Sequence, residues 1–244
     1  MHKRKPEISL ILPLFNESEH FSESIVRILT VLETLEKPWE IIFVEDKSRD
    51  TTKALVEDFI ETTKQKNISA IYHVTNKGRG QSVIDGINRA RGEIVGFIDV
   101  DLEVGPHYIP SFIQAIEQGF DIACGWRHYV FSFGGILRWV ISTSYRFVAQ
   151  QLLRMPLNDT ETGYKFFRRT AIMSLLKDVK NAHWFWDTEV MVLGYYKGLK
   201  IQEIPVVFTR RQDKSSTVQL IPDTIEYVQS ILQFRQKLKR ENYI

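Results

Sequence analysis

The stretch Ile94-Val95-Gly96-Phe97-Ile98-Asp99-Val100-Asp101-Leu102-Glu103 runs a short apolar segment directly into three acids at alternating positions. An apolar run of that length, closed by a polar turn, reads as a strand buried on both faces, and such strands belong to parallel sheets. In open α/β sheets, ligands bind at the carboxyl ends of the strands. Carboxylates gathered there stay ionised only if a cation offsets them. A hard divalent ion, Mg²⁺ or Mn²⁺, with diphosphate oxygens in its remaining positions meets that requirement. The competing reading is a solvated turn whose acids cap a helix starting near Pro106, and an isolated Asp-x-Asp does not separate the two.

The flanking chain alternates short apolar runs with helical patterns. Strands are predicted over Ile8 to Leu14, Trp39 to Val44, Ala70 to Val74, Ile94 to Ile98 and Asp121 to Ala123. Helices are predicted near Ser18 to Leu35, Thr51 to Lys66, Gln81 to Ala90 and Pro106 to Gln118. That order implies right-handed crossovers and a mostly parallel sheet with helices on both faces, an α/β class. The second half is less regular. Leu137, Ile141, Tyr145, Val148 and Leu152 form one apolar stripe of a helix over Ile136 to Leu153, with Arg138, Ser142 and Arg146 along a neighbouring face. A helix after Trp186, a strand over Ile204 to Phe208 and a last helix over about Pro222 to Lys239 follow. No repeat or linker appears, so the expectation is one domain over 1–244, in halves near 6–125 and 126–244.

Other strand ends carry polar residues too. Leu12-Pro13-Leu14-Phe15-Asn16-Glu17 closes the first strand and Val44-Glu45-Asp46-Lys47-Ser48 the second. Asn76-Lys77-Gly78-Arg79-Gly80 follows the third; its glycines permit a tight turn and its cations suit phosphate. It is neither a Walker A loop nor a Gly-x-Gly-x-x-Gly fingerprint. In Trp184-Phe185-Trp186-Asp187-Thr188-Glu189, Asp187 reads either as the base of a hydroxyl-directed reaction or as a helix N-cap. The histidines have no metal-ligand spacing, which argues against zinc.

Composition narrows the class. With 32 Lys plus Arg against 30 Asp plus Glu, net charge gives no case for nucleic-acid binding. A 43% hydrophobic share argues against a disordered chain. Cys124 is the lone cysteine, so no intramolecular disulfide forms, and a reducing compartment is expected. No uncharged apolar run approaches the length of a membrane span, so the expectation is a chain in solution or on a membrane surface.

Together the four strand-end segments resemble the family 2 glycosyltransferases of the GT-A, Rossmann-like fold. Gly125-Trp126-Arg127, Arg138 with Ser142, Asp159-Thr160-Glu161-Thr162-Gly163-Tyr164-Lys165 and Glu203-Ile204-Pro205-Val206 look like the dolichyl-phosphate mannose synthase and polyprenyl-phosphate hexosyltransferase branch. The resemblance implies an inverting transfer of a hexose from a GDP- or UDP-sugar to a polyprenyl phosphate. It implies that Pro13, Leu14, Glu17, Val44 and Asp46, with Lys77, hold the nucleotide. Asp99, Asp101 and Glu103 would surround Mg²⁺ or Mn²⁺ and the diphosphate; Arg127, Arg138 and Ser142 would receive the acceptor phosphate; Arg211 would pair with donor phosphates. Glu103 stands where many mannose synthases of this branch have Gln, Glu45 replaces the first acid of an Asp-Asp pair, and Asp213-Lys214-Ser215-Ser216-Thr217 matches the Gly-x-Ser-Lys loop only loosely. A polyprenyl acceptor places the protein at the cytoplasmic face of a membrane, held by its own surface or by an integral membrane partner. Alternatives are a family 2 enzyme with a hydroxyl acceptor and Asp187 as base, and a non-catalytic nucleotide-sugar-binding protein.

Overall fold

The computed structural model describes residues 5–129, 149–209 and 220–244. Seven strands form one sheet in the order β3-β2-β1-β4-β6-β5-β7. The strands are β1 (Ile8–Leu14), β2 (Trp39–Glu45), β3 (Ile68–Tyr72), β4 (Ile94–Ile98), β5 (Ile122–Tyr129), β6 (Tyr164–Arg168) and β7 (Ile201–Phe208). β1 pairs in parallel with both β2 and β4, β2 with β3, and β5 with β7. β6 runs antiparallel to β4 and to β5 on its two sides. The helices are α1 (Phe21–Glu33), α2 (Thr52–Thr63), α3 (Arg79–Arg89), α4 (Ile109–Glu117), α5 (Arg169–Leu175), α6 (Trp186–Tyr196) and α7 (Leu220–Arg240).

Alternation along the central strands divides the core in two. Leu10, Leu12 and Phe43 face one side with Phe21, Ile25 and Ile28 of α1, Val56 of α2 and Phe112 of α4. Ile11, Ile42, Val95 and Phe97 face the other with Val83 and Ile87 of α3, Ile172 of α5 and Val190 of α6. Both faces are therefore covered by helices, which is why the strands read as near-continuous apolar runs. Residues 149–153 are helical; the rest of the helix expected over Ile136 to Leu153 lies outside the described residues.

Two elements escaped the sequence reading. β6 lies inside the segment read as a polar motif, and α5 follows it without a break. β5 runs on to Tyr129, so the expected division near residue 125 falls inside a strand.

The amino ends of the strands are held by a buried acid. The Ser9 hydroxyl donates to Glu40 Oε1 at 2.7 Å, and Arg91 donates through its backbone N–H at 2.8 Å, through Nε at 3.0 Å and through Nη2 at 2.6 Å. Burial alone would raise the Glu40 carboxyl, but the Arg91 and Ser9 hydrogen bonds and the Arg91 charge hold it below the usual glutamate range. The unfolded chain then takes up this proton first, so the contribution is present above the usual range and lost as pH falls through the lowered one. Wild type and Glu40→Gln compared by urea unfolding should differ at neutral pH and converge on acidification; a gap that stays constant with pH would remove Glu40 from that role.

Candidate active site

β1 and β4 are neighbours from which the chain moves outward in opposite directions, a topological switch point where ligands bind at the carboxyl edge. There Asp99 donates its N–H to the Gly163 carbonyl at 3.0 Å, joining β4 to the lead-in of β6. Leu102 closes the acidic turn in the left-handed region at φ 52°, and its N–H donates to the Asp99 carbonyl at 3.3 Å. A leucine in that region costs on the order of 1–3 kcal/mol, a strain typical of functional turns. Glu103 N–H donates to Asp101 Oδ1 at 3.3 Å, and the Glu103 carbonyl accepts from Thr209 N–H at 2.8 Å, which fastens the turn to the end of β7.

Asp99 follows directly on β4 at the carboxyl edge of the sheet. Its side chain is 40% accessible, yet surrounding protein pushes its carboxyl above the usual carboxylate range. Burial is the main cause; Arg79 opposes it, and the Asp101 and Asp187 charges add to it. Asp99 Oδ1 accepts from Arg79 Nε at 3.0 Å and Nη2 at 2.8 Å. Arg79 Nη1 donates to Asp187 Oδ2, and Asp187 Oδ1 accepts from Lys165 Nζ at 2.6 Å. Lys165 is fully buried and also donates to the Thr162 carbonyl at 2.5 Å. A Cβ on Gly163 would fall inside the Asp99 carboxylate and against Arg79, so only glycine fits there.

Asp46, expected at the nucleotide, is buried and committed inward. Its Oδ1 accepts from Lys77 N–H at 2.8 Å and pairs with His73 Nδ1 at 2.6 Å; its Oδ2 accepts from Gly78 N–H at 2.8 Å. His73 Nε2 pairs with Asp85 Oδ2 at 2.9 Å, where Lys77 Nζ also donates at 3.0 Å. Gln81 N–H donates to the Ala182 carbonyl at 2.8 Å. In this structure the N–H groups of Lys77, Gly78 and Gln81 meet protein acceptors, and the Lys77 and Arg79 side chains pair with acids. Leu14 and Val44 are buried as whole residues, and the Leu14 carbonyl accepts from Asp46 N–H at 2.9 Å. The turn after Pro13 is pinned to the β2–α2 turn, with Asn16 N–H donating to Ser48 Oγ at 3.0 Å and Glu17 N–H to Thr52 Oγ1 at 2.8 Å.

Arg127, expected at an acceptor phosphate, forks onto the buried Asp159. Nε reaches Oδ2 at 2.7 Å and Nη2 reaches Oδ1 at 2.9 Å, with Glu161 Oε2 at 3.3 Å from Nη2. The motif around 159–165 thus joins β5 to the cleft. Asp187 is no N-cap: α6 starts at Trp186, and Asp187 turns from its first turn toward Arg79 and Lys165. Glu189 in the same turn accepts from the backbone N–H groups of Lys180 at 2.9 Å and Asn181 at 2.8 Å. Arg138, Ser142 and Arg211 lie outside the described residues.

The model of the family described as Glycosyl transferase family 2 matches residues 9–176. The chain belongs to glycosyl transferase family 2. Glycosyltransferase AglD of Haloferax volcanii is 29% identical over 235 residues, which is 93% of this chain and 36% of that protein. An undecaprenyl-phosphate 4-deoxy-4-formamido-L-arabinose transferase of Pectobacterium atrosepticum is 32% identical over 115 residues, 47% of this chain and 35% of that protein. The chain thus spans about a third of the length of these curated relatives. Among solved structures, glucosyl-3-phosphoglycerate synthase of Mycobacterium tuberculosis, crystallised with Mn²⁺, UDP and glucosyl-3-phosphoglycerate, superposes with a TM-score of 0.71 at 16% identity, covering 94% of this chain and 80% of that one. That likeness establishes the fold, GT-A.

Within this family 2 chain the donor chemistry fits a divalent ion. Mg²⁺ and Mn²⁺ take oxygen ligands and leave positions for substrate phosphates, so two carboxylates suffice without a closed cage. Asp99 and Asp101 are such donors, and the Arg79 hydrogen bonds to Asp99 fall on Oδ1. Among the described residues no three His, Cys, Asp or Glu side chains converge as a metal cage, so the triple Asp99, Asp101 and Glu103 is not drawn together around one point. Sequence reasoning missed Lys165 as an ion-pair member and His73 altogether. Removing the Arg127 side chain takes a bidentate cation from the fully buried Asp159, while the backbone N–H groups of Arg127 and Glu161 stay on the carboxylate. Arg127→Ala should therefore lower the unfolding free energy by about 3 kcal/mol in urea titrations; an unchanged midpoint would show the pair to be dispensable to the fold.

Proposed function

We propose that this chain is a glycosyltransferase domain that moves a hexose from a nucleoside-diphosphate sugar to a polyprenyl phosphate, with inversion. The observation that carries the reading is the pair Asp99 and Asp101 at the carboxyl edge of β4, at the sheet's switch point. The names of the relatives support the acceptor class, because one of them is an undecaprenyl-phosphate transferase. The family supports glycosyl transfer.

In this reading Pro13, Leu14, Glu17, Val44 and Asp46, with Lys77, hold the nucleotide at the carboxyl ends of β1 and β2. Asp99 and Asp101 hold Mg²⁺ or Mn²⁺, and Glu103 adds negative charge at the same turn. A bound divalent ion supplies Lewis-acid stabilisation of the charge that grows on the departing diphosphate. The acceptor phosphate is already anionic at neutral pH, so it requires orientation rather than deprotonation. Arg138, Ser142 and Arg211 are assigned to anion binding, since a guanidinium fork meets phosphate oxygens in two-point contacts. In a single displacement, an acceptor oxygen attacks the anomeric carbon as the bond to the diphosphate breaks. An α-linked donor then gives a β-linked lipid. The hydroxyl-acceptor alternative fits less well, because both oxygens of Asp187 already accept from cations. The chain would work at the cytoplasmic face of a membrane, through its own surface or an integral membrane partner; among the described residues no helix is long and apolar enough to cross a membrane.

The test is a screen of labelled GDP- and UDP-hexoses against extracted polyprenyl phosphates, with and without Mn²⁺. Organic-extractable label that requires the metal and is abolished in Asp101→Ala is the expected result. Label transferred only to soluble saccharides would overturn the acceptor class, and undiminished transfer by Asp101→Ala would overturn the metal role.

A further inference from the structure

We propose that Arg79 is the positioning residue of this site: it sets the rotamer of Asp99 and is itself set by Asp187 and Lys165. The inference rests on the metal-dependent reading above and adds a residue to which that reading gives no role.

The geometry is a one-oxygen clamp. Nε and Nη2 of Arg79 both donate to Asp99 Oδ1, at 3.0 and 2.8 Å, which fixes the carboxylate, with Oδ2 lying against Gly163. The third nitrogen, Nη1, reaches Asp187 Oδ2. Asp187 is buried and receives Lys165 Nζ on its other oxygen at 2.6 Å. The guanidinium lies against two rings, with centroids of Phe97 at 5.4 Å and Trp184 at 5.9 Å. Its side chain is 14% accessible, against 40% for Asp99, so the clamp is enclosed while the clamped acid remains reachable.

Three separate elements build this clamp. Arg79 is the first residue of α3, Asp187 lies in the first turn of α6, and Lys165 lies on β6. The start of α3 is pressed onto the segment before α6: a Cβ on Gly80 would strike Trp186 Cβ and the Ala182 main chain. The clamp is therefore preorganised by backbone packing as well as by charge. The charges also balance, since two cations and two carboxylates form one chain. Asp99 thus keeps an ionised partner whether or not a metal is present.

A lysine cannot replace this arrangement. Its ammonium lacks the planar fork that sends two N–H groups to one acid and a third to the other in fixed directions. Partners that orient a metal ligand typically contribute about 10- to 100-fold to metal affinity.

The experiment titrates Mn²⁺ by electron paramagnetic resonance into wild type, Arg79→Lys and Asp187→Asn, each with UDP and with GDP, alongside metal-free nucleotide affinity and metal-free thermal melts. The expected result is that Arg79→Lys weakens Mn²⁺ binding by about 10- to 100-fold while metal-free nucleotide affinity and the melting midpoint hold. Asp187→Asn should shift Mn²⁺ affinity in the same direction. A folded Arg79→Lys with wild-type Mn²⁺ affinity overturns the inference. If that variant does not fold, unchanged Mn²⁺ affinity in Asp187→Asn overturns it instead. Wild type that binds no Mn²⁺ with either nucleotide overturns the metal reading, and this inference with it.

Discussion

The candidate site depends on a chain of alternating cations and acids that runs from a partly accessible carboxylate into the buried interior. Asp99, Arg79, Asp187 and Lys165 form an alternating chain of sign, and Lys165 and Asp187 are buried. A lone buried carboxylate or ammonium would cost several kcal/mol, and removing one member of a buried pair leaves that cost exposed. The alternation reduces it, and it also explains local choices elsewhere. Gly163 is small because the Asp99 carboxylate needs its volume. Gly80 is small because α3 must approach α6 closely enough for Arg79 to span both acids. The antiparallel β6 lies beside β4 and delivers Lys165 beneath the acidic turn, opposite Phe97 in the register.

A second principle recurs around this chain: the protein supplies its own anions to groups that resemble ligand-binding donors. The Lys77 and Gly78 N–H groups look like a phosphate cradle in sequence, but Asp46 occupies them. Arg127 looks like a phosphate anchor, but Asp159 occupies it. In both places the internal carboxylate fixes a local segment, the start of α3 in one case and the lead-in of β6 in the other.

The sequence was most legible where burial dictates pattern. The bounds of β1 and β4 follow directly from Ile8 to Leu14 and Ile94 to Ile98, because both strands are covered on two faces and stop at polar turns. Asp99 and Asp101 were legible for the same reason, as acids that follow immediately on a buried strand. β6 was not, because Tyr164-Lys165-Phe166-Phe167-Arg168 carries a lysine at a fully buried position, which breaks the apolar signal of a central strand. Only the distant Asp187 makes that lysine tolerable, and a pairing across 22 residues leaves no local trace. His73 was missed likewise: its partners Asp46 and Asp85 are 27 and 12 residues away. Asp187 carried a visible signal beside Trp186, but a helix-start acid and a cleft acid look alike until the helix is placed.

The strand order has a consequence for how the chain is made. β5 emerges from the ribosome before either of its neighbours, since both β6 and β7 come later in the chain. Until residue 168 has been synthesised, the carboxyl-terminal edge of the growing sheet is β4, with its pairing groups open to the next strand. Cutting the chain between β5 and β6 would therefore separate β5 from both of its partners and expose one side of β4. The segments on either side of that cut interlock through β6, which pairs with β4 and β5, and through β7, which pairs with β5, and vectorial synthesis must bridge that interval before the sheet is complete.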